Sequence, residues 1–310
     1  MHGRLSVAVL AGLIALGGCA PTASATPAPS RRATPQPTPR PSPSPTATPH
    51  GLATCPPSSR ENQLAVFART GGSPDDLAPA LDGGLWVTDQ PNNHVIRLDA
   101  QGGVVATLSD GHGPEGIVPQ PDGTLILAEQ RLDRIVQVQP PSMSPLRVIA
   151  QLQMAAGQLG LDSIEVDRSG DRLLIPDSAR GALRALPLSG GPLTTLAVGL
   201  GRPVDAVLAA DGFIYVTAEN TPGLTRVPAS GGAPVRVGTL VNLDDVLAVG
   251  SLLYVTDLQD GSLRAIDPAT GDARTLVTGI AQPQGIALLP DGRLVVSDSS
   301  RGILVALPAC

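Results

Sequence analysis

The chain predicts an all-β fold, a six-bladed β-propeller with four-stranded blades and the last blade closed by an N-terminal strand. Three observations predict it. From Ser73 onward the sequence repeats itself six times at a spacing of about forty residues. Each copy holds short strand-period runs separated by Gly, Asp-Gly or Ser-Gly turns. No long helix-period segment interrupts them.

Each copy contributes a central run that ends at or beside an acid. In order these are Leu85-Trp86-Val87-Thr88-Asp89, Leu125-Ile126-Leu127-Ala128-Glu129, Leu173-Leu174-Ile175-Pro176-Asp177, Ile214-Tyr215-Val216-Thr217-Ala218, Leu253-Tyr254-Val255-Thr256-Asp257 and Leu294-Val295-Val296-Ser297-Asp298. A partner strand follows each: residues 94–98, 134–138, 182–186, 224–227, 263–266 and 303–307. Most of these partners alternate apolar with polar, the period of a half-buried strand. Fourth strands are visible in Val104-Val105-Ala106-Thr107-Leu108, Arg147-Val148-Ile149-Ala150 and Arg274-Thr275-Leu276-Val277. Asp82, Asp122, Asp211 and Asp291 stand beside glycines and read as turn formers, and the strand-ending acids read as structural for the same reason of repetition.

The sixth copy stops at Cys310 after three strands, while an unassigned strand, Gln63–Ala68, precedes the first copy. Together they complete one blade, which pairs edges that would otherwise be open to aggregation. Cys55 precedes that strand and Cys310 ends its neighbour, so a disulfide between them would staple the ring; two free thiols are the alternative.

The N-terminus reads as an export signal. Arg4, an apolar run from Leu5 to Leu16, and then Gly17 and Gly18 lead to Cys19. Leu16-Gly17-Gly18-Cys19 resembles the bacterial lipobox, which implies diacylation of Cys19, a stable membrane anchor and a location facing the periplasm or the cell exterior. Residues 1–18 are then a signal peptide and 19–54 a Pro/Ser/Thr-rich linker from the lipidated cysteine, favouring polyproline II and reaching up to roughly 100 Å. The propeller occupies 55–310.

Charge narrows the function classes. There is no lysine; four of the 21 arginines precede Cys55, and all 27 acids follow it, so the body carries 17 arginines against 27 acids, a net charge of −10. With five aromatic residues in the whole chain, such a body is ill suited to gripping phosphates or stacking bases, and no nucleic-acid partner is expected. Schiff-base catalysis by lysine is excluded. A monomer is expected, with a small molecule or an envelope protein as partner.

Binding sites on a propeller gather where inner-strand loops converge on the channel. Counting back from the end of the second strand places Asp75, Glu115, Asp162, Val204, Leu243 and Gln284 at one repeated position, and Asp76, Gly116, Ser163, Asp205, Asp244 and Gly285 at the next. A ring of carboxylates either retains protons or recruits a hard cation.

Pro114-Glu115-Gly116-Ile117 and Pro283-Gln284-Gly285-Ile286, each followed by a Pro-Asp-Gly turn and an apolar strand ending in an acid, resemble NHL repeats. The same pattern over residues 63–310 resembles the SMP-30/gluconolactonase family of six-bladed propellers. That resemblance implies a divalent metal such as Ca2+ on Asp75, Glu115, Asp162 and Gln284, with Asp205 or Asp244 as an outer base in a lactonase-type hydrolysis. The chain departs from the family at Val204 and Leu243 and lacks its Asn-rich signatures. His112, close to Glu115, is a further acid/base candidate in a pairing loosely similar to that of the seven-bladed streptogramin lyases. The leading expectation is a lipid-anchored binding or scaffold module at the cell envelope, with the lactonase reading as the alternative.

Overall fold

The computed structural model describes residues 51–154, 160–167 and 171–310. The expected signal peptide, Cys19 and nearly all of the linker lie outside them. Six sheets of four antiparallel strands succeed one another along the chain, and in the first five the four strands run from inner to outer in sequence order, as expected. Blade one holds Leu77–Pro79, Leu85–Asp89, His94–Leu98 and Val104–Ser109; blade two begins at Pro114–Pro119, blade three at Glu165–Asp167, blade four at Pro203–Leu208, blade five at Leu243–Val249 and blade six at Pro283–Leu288.

The central strands are apolar at nearly every position because both faces of each blade are covered. In blade two, Leu125 and Leu127 pack toward blade one with Val95 and Ala78, while Ile126 and Ala128 pack toward blade three with Leu173 and Ile175. Six such clusters form, one in each seam between neighbouring blades. Burying a Leu or Val of this kind stabilises by about 1.5–3 kcal/mol, so the seams rather than the channel hold the ring together.

Ring closure is as the chain ends imply. Ala65–Arg69 pairs antiparallel with Ile303–Pro308, completing blade six. Cys55 and Cys310 form a disulfide within the apolar seam of blades five and six. A feature absent from the sequence reading reinforces it: Ser59–Arg60 adds a short parallel strand to the outer edge of blade five, against Val277 and Thr278. The Cys310 amide also donates to the Tyr254 hydroxyl at 2.9 Å, which fixes the last residue.

The strand-ending acids are structural. Asp177 accepts from Arg184 Nε at 2.6 Å and Asp257 from Arg264 Nε at 2.7 Å; Glu129 pairs with Arg134. Asp257 also accepts the Gln259 and Asp260 amides, each at 3.1 Å, and so holds the following turn. Substituting Asp257 with Ala removes these bonds and leaves Arg264 with Asp260 and Thr275 as its remaining partners. Chemical denaturation should show a loss of about 2–3 kcal/mol, less than the 3–5 of a fully buried pair because Arg264 keeps some hydration.

Candidate functional site at the channel mouth

Strand pairing corrects the sequence alignment in blade five. Leu243 pairs with Asp257 as Pro203 pairs with Ala218 and Pro283 with Asp298. Asp244, not Leu243, therefore takes the first ring position, and Asp245, not Asp244, takes the second. The cause is a tighter hairpin. In blade five Val249 pairs with Leu252 across a two-residue turn, whereas in blade six Leu288 pairs with Leu294 across five residues.

The corrected first ring is Asp75, Glu115, Asp162, Val204, Asp244 and Gln284, one residue from each blade. All six line a cavity of about 300 Å³ at the mouth. The structure thus brings together the four residues expected as metal ligands and adds Asp244. Asp205 and His112 do not line this cavity.

Asp205 belongs to the second ring, with Asp76 and Asp245, and these acids stitch neighbouring blades. Asp76 Oδ2 accepts the Ile117 amide at 3.2 Å, Asp205 Oδ2 the Val246 amide at 2.9 Å, and Asp245 Oδ2 the Ile286 amide at 2.6 Å. Where the second position is glycine, backbone meets backbone instead. The Gly116 amide reaches the Asp162 carbonyl and the Gly285 amide the Asp75 carbonyl, both at 3.1 Å. A Cβ on Gly285 would lie well inside contact distance of that carbonyl, so Gly285→Ala should cost about 1–3 kcal/mol in a denaturant melt.

A third ring, not seen in the sequence, comes from the residues just after the second strands, including Gln90, Gln130, Ser178, Glu219 and Ser299. One part of the rim is closed by a hydrogen-bonded belt. Gln90 Nε2 donates to Gln130 Oε1 at 2.8 Å, and Gln130 Nε2 to Asp162 Oδ1 at 2.6 Å. Asp162 Oδ2 accepts from Ser178 Oγ at 3.0 Å and from Arg202 Nη2 at 2.7 Å, and Arg202 also pairs with Glu219. Arg202 is the cation of the cavity lining.

One arginine does not neutralise this many acids, and proton retention follows. Burial, opposed by a hydrogen bond with Glu115, leaves Asp75 pushed up to about 7. Glu115 is held well above the usual carboxylate range by burial and then by Asp75 and Asp162. Burial raises Asp162 to about 6, with Arg202, Ser178 and Gln130 opposing. Asp244 is raised by burial and by Asp75 and Asp162; deeper down, Asp76 and Asp245 are raised by burial and by Asp205. Such groups can exchange protons near neutrality and attract cations.

The donor set does not fit a resident divalent ion as it stands. Hard oxygen donors are present, but both Asp162 oxygens are committed to the belt. Asp75 and Glu115 hydrogen-bond each other, and Asp244 accepts from the Gln284 amide. Among the described residues, no group of three or more His, Cys, Asp or Glu converges on a point where an ion could be held.

Fold and site together define a six-bladed propeller with an acidic channel mouth. No protein-family model matches the chain, and no curated protein sequence does. Solved structures do. A gluconolactonase of Xanthomonas campestris is 16% identical with a TM-score of 0.62, over 80% of this chain and 89% of that one. A catalytically inactive virginiamycin B lyase of Staphylococcus aureus, with quinupristin, is 16% identical with a TM-score of 0.60, over 77% and 82%. A chain of a nidogen/laminin complex is 21% identical with a TM-score of 0.58, over 68% and 83%. At these identities the likeness is one of fold.

Proposed function

We propose that the protein is an exported propeller that acts as a binding module, taking a small ligand at the mouth of its channel. The observation that carries this reading is the first ring: four carboxylates and an amide from five different blades face one cavity of about 300 Å³ that the chain leaves open. Sites of this kind are built from side chains brought together by the fold rather than by sequence neighbours. The similar structures include a lactonase, a lyase and a chain from a protein complex, so the fold favours none of these activities over the others.

Export and anchoring rest on Leu16-Gly17-Gly18-Cys19. Mass spectrometry of the protein from a bacterial host is expected to show a mature chain beginning at diacylated Cys19. A chain that still begins at Met1 would remove the envelope from this reading.

The second reading, a lactonase-type hydrolase at the same mouth, is favoured by the gluconolactonase likeness and by carboxyls that hold protons near neutrality. Asp75 and Glu115 would exchange the protons and Arg202 would hold developing negative charge. Assaying the full chain against a panel of lactones, with and without calcium, separates the two. Turnover that disappears in Glu115→Gln establishes the hydrolase; saturable binding without turnover supports the binding module.

A further inference from the structure

The mouth is chemically lopsided. In the part of the rim spanned by Gln90, Gln130, Asp162, Ser178, Arg202 and Glu219, the belt supplies each acid with a donor from the chain itself. The remaining first-ring acids, Asp75, Glu115 and Asp244, have no such supply. Among the described residues no N–H or hydroxyl group donates to the side chains of Asp75 or Glu115, whose contact is with each other. Asp244 has only the Gln284 amide.

Ser299 adds an independent sign of a missing partner. It lines the same cavity and is only 6% exposed. Its amide donates to the Gln282 carbonyl and its own carbonyl accepts from Ser73 Oγ, but its hydroxyl has no hydrogen-bond partner among the described residues. The residue is almost wholly enclosed while its hydroxyl is left without a bond from the chain at the cavity wall, so it is free to donate to or accept from whatever enters.

We propose that this open part of the mouth holds a small organic cation, a protonated amine that also carries hydroxyl or further amino groups. The inference rests on the binding-module reading and specifies its ligand. The carboxylates call for positive charge and the acceptor-rich rim calls for N–H donors. The oxygens are spread around a cavity rather than converging on a point, which suits a body several atoms across better than a bare ion. Each N–H to a carboxylate is a charge-assisted hydrogen bond, and Ser299 provides an acceptor or donor for a hydroxyl.

The test is calorimetric titration of the full chain at pH 8 with putrescine and with ethanolamine. 1,4-Butanediol serves as the neutral match to putrescine, and calcium chloride as the bare ion. The expected result is saturable binding of at least one amine and none of the diol. Asp244→Asn should weaken it at least about tenfold, the scale of one charge-assisted contact. Ser299→Ala should weaken ethanolamine more than putrescine, since only ethanolamine carries a hydroxyl. Both substitutions are close to isosteric, and a melt of each confirms folding. Equal binding of diol and amine, or no amine binding at about 10 mM, overturns the cation assignment. Calcium binding that Asp244→Asn abolishes, without amine binding, overturns it too but keeps the mouth as a binding site. A lactone or other neutral ligand that binds at the mouth would do the same. Failure of all of them would remove the binding-module reading itself.

Discussion

Replacing Asp75 with Asn raises the melting temperature at pH 8 by roughly 5 °C or more, and the gain disappears near pH 4. The direction follows from linkage. Asp75 ordinarily titrates at 3.8 and in the folded protein at about 7, raised mainly by burial. Between those values the folded state binds more protons than the unfolded chain, so the contribution is fully present below 3.8 and is lost as pH rises through 7. At pH 8 the wild type must hold a charge that is buried and faces Asp162 and Asp89, only partly offset by the hydrogen bond with Glu115, whereas Asn is neutral at every pH. The check is a pair of thermal melts at pH 4 and 8; a variant less stable at both would mean that Asp75 is needed as an ion within the fold. Stability given up in this way is typical of groups kept for function.

The second large effect concerns ring closure. Cys310→Ser should lower stability by about 2–5 kcal/mol, the range for loss of a native disulfide. The bridge spans 255 residues of sequence, so it restrains nearly the whole described chain in the unfolded state. In the native state it ties the segment that precedes Ser59–Arg60 to the end of Ile303–Pro308, the third strand of blade six, beside the Tyr254 hydroxyl that receives the Cys310 amide. Denaturant melts of the oxidised wild type and the variant measure the difference. Unchanged midpoints would show that Ala65–Arg69 pairing and the apolar seam close the ring unaided.

The fold was legible because a propeller repeats its signals. The doubly buried central strands, the turn acids and the orphan strand at Gln63–Ala68 each pointed the same way. The mouth was legible in part. Asp75, Glu115, Asp162 and Gln284 line the mouth cavity as expected, and three of them directly follow a proline, Pro74, Pro114 or Pro283, that marks the entry to an inner strand. Asp244 was assigned to the wrong ring because blade five uses a two-residue hairpin and has Leu243 where its neighbours have proline. A paired-strand count anchored on Val246 opposite Val255 would have found it.

The rest was hidden for physical reasons. Asp205 looks like any other mouth acid in sequence, but its carboxylate is turned to the Val246 amide of the next blade. Arg202, Glu219 and Ser299 do sit at repeated positions, Arg202 just before an inner strand and the other two just after second strands, but the residue type changes from copy to copy, so no shared chemistry marks them. Their roles come from hydrogen bonds across blades, such as Arg202 to Asp162 over forty residues, which only the closed ring creates.

The mouth's chemistry rests on carboxyls that keep their protons to near neutrality. Carbon-13 NMR of the Asp and Glu side-chain carboxyls, followed from pH 3 to 9 in the full chain, tests this directly. At least two resonances are expected to titrate near 6 and 7 and to disappear in Asp162→Asn and Asp75→Asn respectively. If every carboxyl titrates below about pH 5, within the ordinary range for surface Asp and Glu, the mouth is a solvated rim and not the buried, proton-holding site described above.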